Sequence, residues 1–336
     1  MRTLAVRLPN WLGDTIMAVP TVRALRESFP EARLVLAGPW ASLLAHQGLG
    51  DTLLTYPRAW SARLGAADAM REMGPDTAVV LPNSLESGLA AWYWGARRRI
   101  GFGVGGRGLL LTDAPALPTP RRHQVDEYLM LAEAAGATLG EGTPRLTPPA
   151  ADAVERAEVR ALLDEIGAPR EGGRRVVAMH LGAAYGPAKL WPLPQVEEFC
   201  RLMDVDGVAV VLVGAPSDAP AARAVSEVAP ARSLVGRDRP ALLTALLSEI
   251  DILVSGDTGV AHLAAALGTP AVTLFGPTDP RLSAPRGAAR VLTHPVPCAP
   301  CFYRACPIDH PCLRDLAPSR VRDAVRSMLQ QATVAS

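Results

Sequence analysis

The 336-residue chain carries 34 Lys plus Arg against 33 Asp plus Glu and is 49% hydrophobic. It can therefore bury a large core, most simply as two domains, and it lacks the global basic excess of a nucleic-acid binder. No apolar run approaches the roughly twenty residues that a membrane-spanning helix needs, and Pro9, Asn10 and Gly13 cut the first apolar stretch too early for a signal-peptide core; the expectation is a globular, cytosolic chain.

Strand-like runs alternate with helix-length segments throughout, the pattern of parallel sheets covered by helices on both faces. In the first half, residues 4–8, 33–37 and 78–81 read as buried strands. Helices are expected over 15–28, 84–95 and 125–135, with Pro20 kinking or restarting the first. The first strand runs into Pro9-Asn10-Trp11-Leu12-Gly13-Asp14, which sets a carboxylate just past a strand's carboxyl end; from the residues alone a plain helix cap at Asp14 is the favoured reading. Arg97-Arg98-Arg99, Arg107 and Arg121-Arg122-His123 are basic groups suited to bidentate phosphate binding or to solvated surface, while Trp92, Tyr93 and Trp94 read chiefly as helix packing. Between 136 and 151 Gly, Pro and Thr replace the periodic pattern, and the domain junction is expected there, giving domains 1–150 and 151–318 and a helical tail 319–336.

The second half restarts with a helix over 153–166 and strands over 176–180, 208–213, 252–255 and 271–275, a second doubly wound unit. Such sheets bind ligands beyond the carboxyl ends of their strands, so two facing units would form a cleft. Three strand ends carry candidate chemistry. In the 181–192 loop, Tyr185 and small residues precede Lys189, which can meet an anion as a point charge, although a solvated loop lysine is the plain alternative. The turn Val213-Gly214-Ala215-Pro216-Ser217-Asp218 fits a nucleotide rim or an ordinary βα turn.

The third strand end is the most informative: Ser255-Gly256-Asp257-Thr258-Gly259-Val260-Ala261-His262 joins a β-branched run to a helix of small residues. The first N–H groups of that helix lack internal partners and carry partial positive charge, so an anion belongs there. Thr258 or Asp257 can cap the helix, Gly259 admits a phosphate close to the backbone, and Thr258 and His262 share one face. An Asp/Thr cap on an ordinary packed helix is the bland alternative.

Cys298, Cys301, Cys306 and Cys312 form C-x2-C-x4-C-x5-C, by spacing alone a zinc or iron–sulfur candidate, whereas Cys200 reads as a small core residue.

Taken together, the 9–14 turn with Pro20-Thr21-Val22-Arg23-Ala24-Leu25-Arg26, the Gly182 to Pro192 loop, and Gly256-Asp257-Thr258-Gly259 with His262 resemble the lipopolysaccharide heptosyltransferases of glycosyltransferase family 9, the second-heptose type above all. The resemblance implies a GT-B fold: two Rossmann-like α/β domains, acceptor on the first and nucleotide sugar on the second, with the last helix crossing back to the first. It implies an inverting transfer of L-glycero-D-manno-heptose from ADP-heptose to the lipopolysaccharide inner core at the cytoplasmic face of the inner membrane, with no cofactor and no metal. Asp14 would be the general base; Lys189, Thr258 and Gly259 would hold the diphosphate; Asp257 would contact the heptose, and His262 would support the turn. Gly256, Tyr185, Ser217 and Asp218 complete the donor set. Adenosine would lie near Ser217-Asp218 and Val235-Gly236-Arg237-Asp238, and Asn10, Trp11, Arg98, Arg121 and Arg122 would face the acceptor. A cysteine-rich tail of this kind recurs in the family without a metal that the chemistry requires. A transferase for another nucleotide sugar, and a noncatalytic zinc-stabilised module binding an anionic partner, are the alternative readings.

Overall fold

The computed structural model describes residues 2–57, 59–168, 174–237 and 240–335. The chain divides into two compact units, one running through Arg145 with Arg281–Ser283, the other comprising Leu146–Pro280 and the remainder. The division falls inside the Gly/Pro/Thr-rich stretch, where Leu146 N–H makes a first bond to the Ala266 carbonyl of the second unit (2.8 Å).

The first unit contains β1 (Thr3–Arg7), α1 (Leu12–Met17), α2 (Val19–Ser28), β2 (Arg33–Gly38), β3 (Thr52–Thr55), α3 (Trp60–Glu72), β4 (Thr77–Val80), α4 (Leu85–Tyr93), β5 (Arg98–Ile100) and α5 (Gln124–Ala135). Its strands are parallel in the order β3-β2-β1-β4-β5. Every residue of β1 and β4 is buried, as continuous apolar runs in a sheet covered on both faces should be. Edge strands β3 and β5, absent from the sequence reading, are short and partly exposed; pairing rather than hydrophobic pattern makes them strands. Pro20 sits in the first turn of α2, where its missing N–H costs nothing, so of the expected kink or restart it is a restart that forms, with two helices meeting at Ala18.

The second unit contains α6 (Val154–Glu165), β6 (Val176–His180), α7 (Leu193–Val205), β7 (Ala209–Val213), α8 (Ala219–Val228), β8 (Ala231–Ser233), α9 (Leu243–Glu249), β9 (Ile252–Gly256), α10 (Gly259–Ala266), β10 (Ala271–Phe275), α11 (Pro280–Ser283), β11 (Ala289–Thr293), α12 (Pro311–Arg314) and α13 (Pro318–Ala335), although α11 clusters with the first unit. The strand order is β11-β10-β9-β6-β7-β8, all parallel. Trp191, Val196, Phe199, Cys200 and Met203 pack with the strand residues and with Val321, Ala324 and Val325 of α13. The tail helix expected to cross back thus belongs to the second unit: its apolar face completes that unit's core over α7, and Arg322 grips Asp206 through two bonds of 2.6 and 2.5 Å. No helix among the described residues is long and apolar enough to cross a membrane.

Candidate active site

In the second unit, β6 and β9 are neighbours, and His180 pairs with Ser255. The loops that follow them therefore leave the sheet side by side at its carboxyl edge. Lys189, 10% exposed at its side chain, donates from Nζ to Asp257 Oδ2 at 2.5 Å and to the Asp257 carbonyl at 3.2 Å. Thr278, just past β10, donates to the same Oδ2 at 2.7 Å. The ammonium also lies 4.6 Å from the Tyr185 ring centroid, and the Tyr185 hydroxyl donates to the Phe302 carbonyl at 2.5 Å. A Cβ on Gly256 would come within 2.6 Å of the Lys189 carbonyl oxygen, so only glycine lets the two loops approach this closely.

Neither expected cap closes α10. Thr258 occupies the N-cap position, but its side chain makes no cap bond; its hydroxyl is spent on Ser255 Oγ at 2.8 Å. Asp257 is committed to Lys189 and Thr278. The N–H groups around Gly259 consequently remain open to an anion brought from outside, with Lys189 beside them. His262 is buried one turn further on, 5% exposed. Thr278 escaped the sequence reading, as did the strongest signal for Lys189: it is the only lysine in the sequence. A composition that uses arginine everywhere else keeps a compact, strongly hydrated ammonium at this one position.

On the next strand end, Asp218 Oδ2 accepts from the Ala215 N–H at 2.8 Å, and a Cβ on Gly214 would meet that oxygen at 2.6 Å. Ser217 beside it is exposed. His180, unflagged by the sequence, has its Nδ1 buried without a partner. Burial lowers its pKa to about 4 against the opposing pull of Asp218 and a backbone bond with Gly182. Arg237 pairs with Glu165 at 2.6 and 3.0 Å, and Asp238 lies outside the described residues.

In the first unit, Asp14 is not the helix cap: Trp11 holds that position, and Asp14 stands in the first turn of α1. Its charge reaches Tyr128 on α5, whose hydroxyl is held protonated well above the usual range, first by burial and then by Asp14. Arg7, fully buried at the end of β1, donates to Asn10 Oδ1 at 2.8 Å and the Leu8 carbonyl at 2.5 Å, and Trp40 Nε1 donates to the Asn10 carbonyl at 3.3 Å. Trp11 is 42% exposed.

The basic groups expected to face the acceptor are mostly spent on the fold. Arg98 binds Asp113 at 2.9 Å and the carbonyls of Ala134 and Ala135 at 2.6 and 3.1 Å. Arg121, though exposed, is held in a bidentate pair of 2.6 and 2.7 Å with the buried Glu127, and Arg122 beside it is exposed as well. Arg107 is wholly buried, and desolvation lowers its pKa to about 10. The four tail cysteines are free thiols graded from exposed Cys298 to buried Cys312. Among the described residues, no group of three or more His, Cys, Asp or Glu is placed to hold a metal ion.

The model of glycosyltransferase family 9 (heptosyltransferase) matches residues 63–311. The chain is 28% identical to the lipopolysaccharide heptosyltransferase 2 of Salmonella typhimurium, over 96% of this chain and 97% of that one. It is 27% identical to the lipooligosaccharide heptosyltransferase 2 of Haemophilus influenzae, over 82% and 84%. The solved structure of the Escherichia coli ADP-heptose lipopolysaccharide heptosyltransferase II superposes with a TM-score of 0.81 at 26% identity, covering 99% of this chain and all of that one. The two parallel-sheet units are thus those of a GT-B glycosyltransferase. With a family match over most of its length and full-length likeness in sequence and fold, the chain belongs to glycosyltransferase family 9, the heptosyltransferases.

Proposed function

We propose that this glycosyltransferase moves L-glycero-D-manno-heptose from ADP-heptose onto the lipopolysaccharide inner core, adding the second heptose to the first, with inversion and without a metal ion, at the cytoplasmic face of the inner membrane. The observation that carries the reading is Lys189 held at 2.5 Å by Asp257 beside the uncapped start of α10. An inverting transfer is one in-line displacement: the acceptor oxygen attacks the anomeric carbon, its proton passes to a base, and the bond to the diphosphate breaks. In the proposed scheme Asp14 takes the proton. Lys189 and the N–H groups at Thr258 and Gly259 meet the negative charge that grows on the departing ADP. Asp257 Oδ2 and Thr278 orient Lys189, and Oδ1, which makes no bond among the described residues, is the oxygen offered to a heptose hydroxyl. His262 backs the turn, Tyr185 flanks the ammonium, and Ser217 with Asp218 faces the adenosine. Asn10, Trp11 and Arg122 lie on the acceptor side.

The test is ADP release from ADP-L-glycero-D-manno-heptose by the purified chain with no acceptor, with Kdo-terminated lipid A, and with that acceptor already carrying one heptose. Release with the heptosylated acceptor alone is expected. Release with only the unheptosylated acceptor would make it a first-heptose enzyme, and release only from UDP- or GDP-sugars would overturn the donor.

A further inference from the structure

The first sheet has a topological switch point. Its order β3-β2-β1-β4-β5 reverses direction between β1 and β4, and in doubly wound sheets the crevice outside the carboxyl ends of the strands at that point is where ligands bind. One wall is the 9–14 turn with Asp14. The other is the turn after β4, Pro82-Asn83-Ser84-Leu85-Glu86, which leads into α4. The two turns leave adjacent strands at one level: Arg7 pairs with Val80, and the Leu81 N–H donates to the Arg7 carbonyl at 3.2 Å. Parallel neighbours are about 4.8 Å apart.

Two buried arginines hold this second wall. Arg7 binds Asn10 in the first turn and stands 3.9 Å from Glu86 in the other, so one guanidinium ties both walls together. Arg107 donates to the Pro82 carbonyl, to Ser87 Oγ at 3.0 Å and to Asn83 Oδ1 at 3.1 Å, and from Nε to the Phe102 carbonyl at 2.8 Å. A fully buried arginine with oxygen partners but no carboxylate among them is costly, and here it is spent on backbone carbonyls, one hydroxyl and one amide oxygen. The result is an exposed Asn83 whose carbonyl oxygen is fixed and whose two amide N–H donors make no bond among the described residues.

We propose that Asn83 is an acceptor-reading residue: its amide N–H groups donate to an oxygen of the acceptor sugar lying in the β1/β4 crevice beside Asp14. The inference rests on the reaction proposed above, with the acceptor bound by the first unit. It is tested with Asn83→Asp, which keeps the oxygen that Arg107 holds and the side-chain shape but loses the N–H donors, and Asn83→Ala, which loses them without adding charge. Transfer is measured against acceptor concentration at saturating ADP-heptose, and acceptor binding is measured separately without donor. Both variants are expected to lose roughly 10- to 100-fold in kcat/KM for the acceptor, with a parallel loss in binding, and to keep the wild-type KM for ADP-heptose. Wild-type acceptor kinetics in Asn83→Ala would overturn the assignment, since a defect in Asn83→Asp alone would then be charge repulsion. An equal loss on the donor side would also overturn it, as that marks general disorder of the unit. If the wild-type chain binds acceptor but transfers no heptose, the proposed reaction fails while the binding comparison still decides Asn83.

Discussion

At the scale of single residues, the proposed reaction assigns opposite roles to two charges, Asp14 and Lys189. Asp14→Asn preserves shape and removes the proposed base; transfer should fall by at least about 100-fold while ADP affinity stays within a factor of two, read by single-turnover kinetics and calorimetry. Wild-type turnover in that variant would remove Asp14 from the chemistry. Lys189→Ala should lower both donor affinity and kcat, the latter by about 10²–10³-fold, and Lys189→Arg should not restore it. The ammonium sits in a gap 10% exposed between the Asp257 carbonyl and carboxylate, and a planar guanidinium presents different donors at a different reach. Because the chain has no other lysine, an amine-directed acylating reagent has one side-chain target. ADP should protect that target, and mass spectrometry of the labelled peptide reports directly on occupancy. Lys189 and Asp14 were legible as strand-end residues in sequence. Thr278 was not, because nothing local distinguishes it; the fold alone carries its hydroxyl to Asp257.

At the scale of elements, function depends on how closely loops approach. Gly256 ends β9 directly against the backbone of Lys189, so Gly256→Ala forces two main-chain segments apart. We expect a loss of about 1–3 kcal/mol in chemical denaturation, together with weakened ADP binding, since the shift displaces the 181–192 loop from α10. Unchanged ADP affinity would show that the loop tolerates displacement. The paired turns after β1 and β4 show the same dependence on the buried side chains Arg7 and Arg107. In sequence Arg107 reads as a phosphate-binding candidate and Arg7 carries no signal; the burial of both follows from long-range packing that no local window contains. Arg98 and Arg121 repeat the lesson, each partnered by a carboxylate that only the fold brings within reach.

At the scale of the whole molecule, stability should carry two marks of the second unit. α13 closes its core, so Val325→Ala, which empties a fully buried position, should cost roughly 2 kcal/mol in thermal or denaturant unfolding; no change would mean that the helix is dispensable to the unit. His180 adds a pH dependence with a definite sign. Its imidazole, ordinarily near 6.5, is held neutral in the folded chain down to about 4. As pH falls through 6.5 the unfolded chain takes up a proton that the folded chain refuses, so stability declines between pH 6.5 and 4 and is flat above this range with respect to this group. The Tm difference between wild type and His180→Asn should therefore change over that window and nowhere else. Parallel curves would deny the buried neutral state.

The sequence by itself determined the alternation of apolar strands and helices, and with it the two doubly wound units and their central strands, because a strand buried on both faces must be apolar whatever surrounds it. It also determined the strand-end turns at 9–14, 181–192 and 255–262, because glycine, proline and a lone charge act locally on the backbone. Tertiary structure decided the rest. It made strands of the polar edges β3, β5, β8 and β11, which exist only through pairing, and it kept α13 in the second unit. It left α10 uncapped by drawing Thr258 to Ser255 and Asp257 to Lys189, and it chose which arginines are buried struts and which face solvent. Several of those outcomes depend on partners far away in sequence, 68 residues between Lys189 and Asp257 and 125 between Trp191 and Leu316, and a charged or hydroxyl side chain takes its role from the nearest complementary group in space, not along the chain.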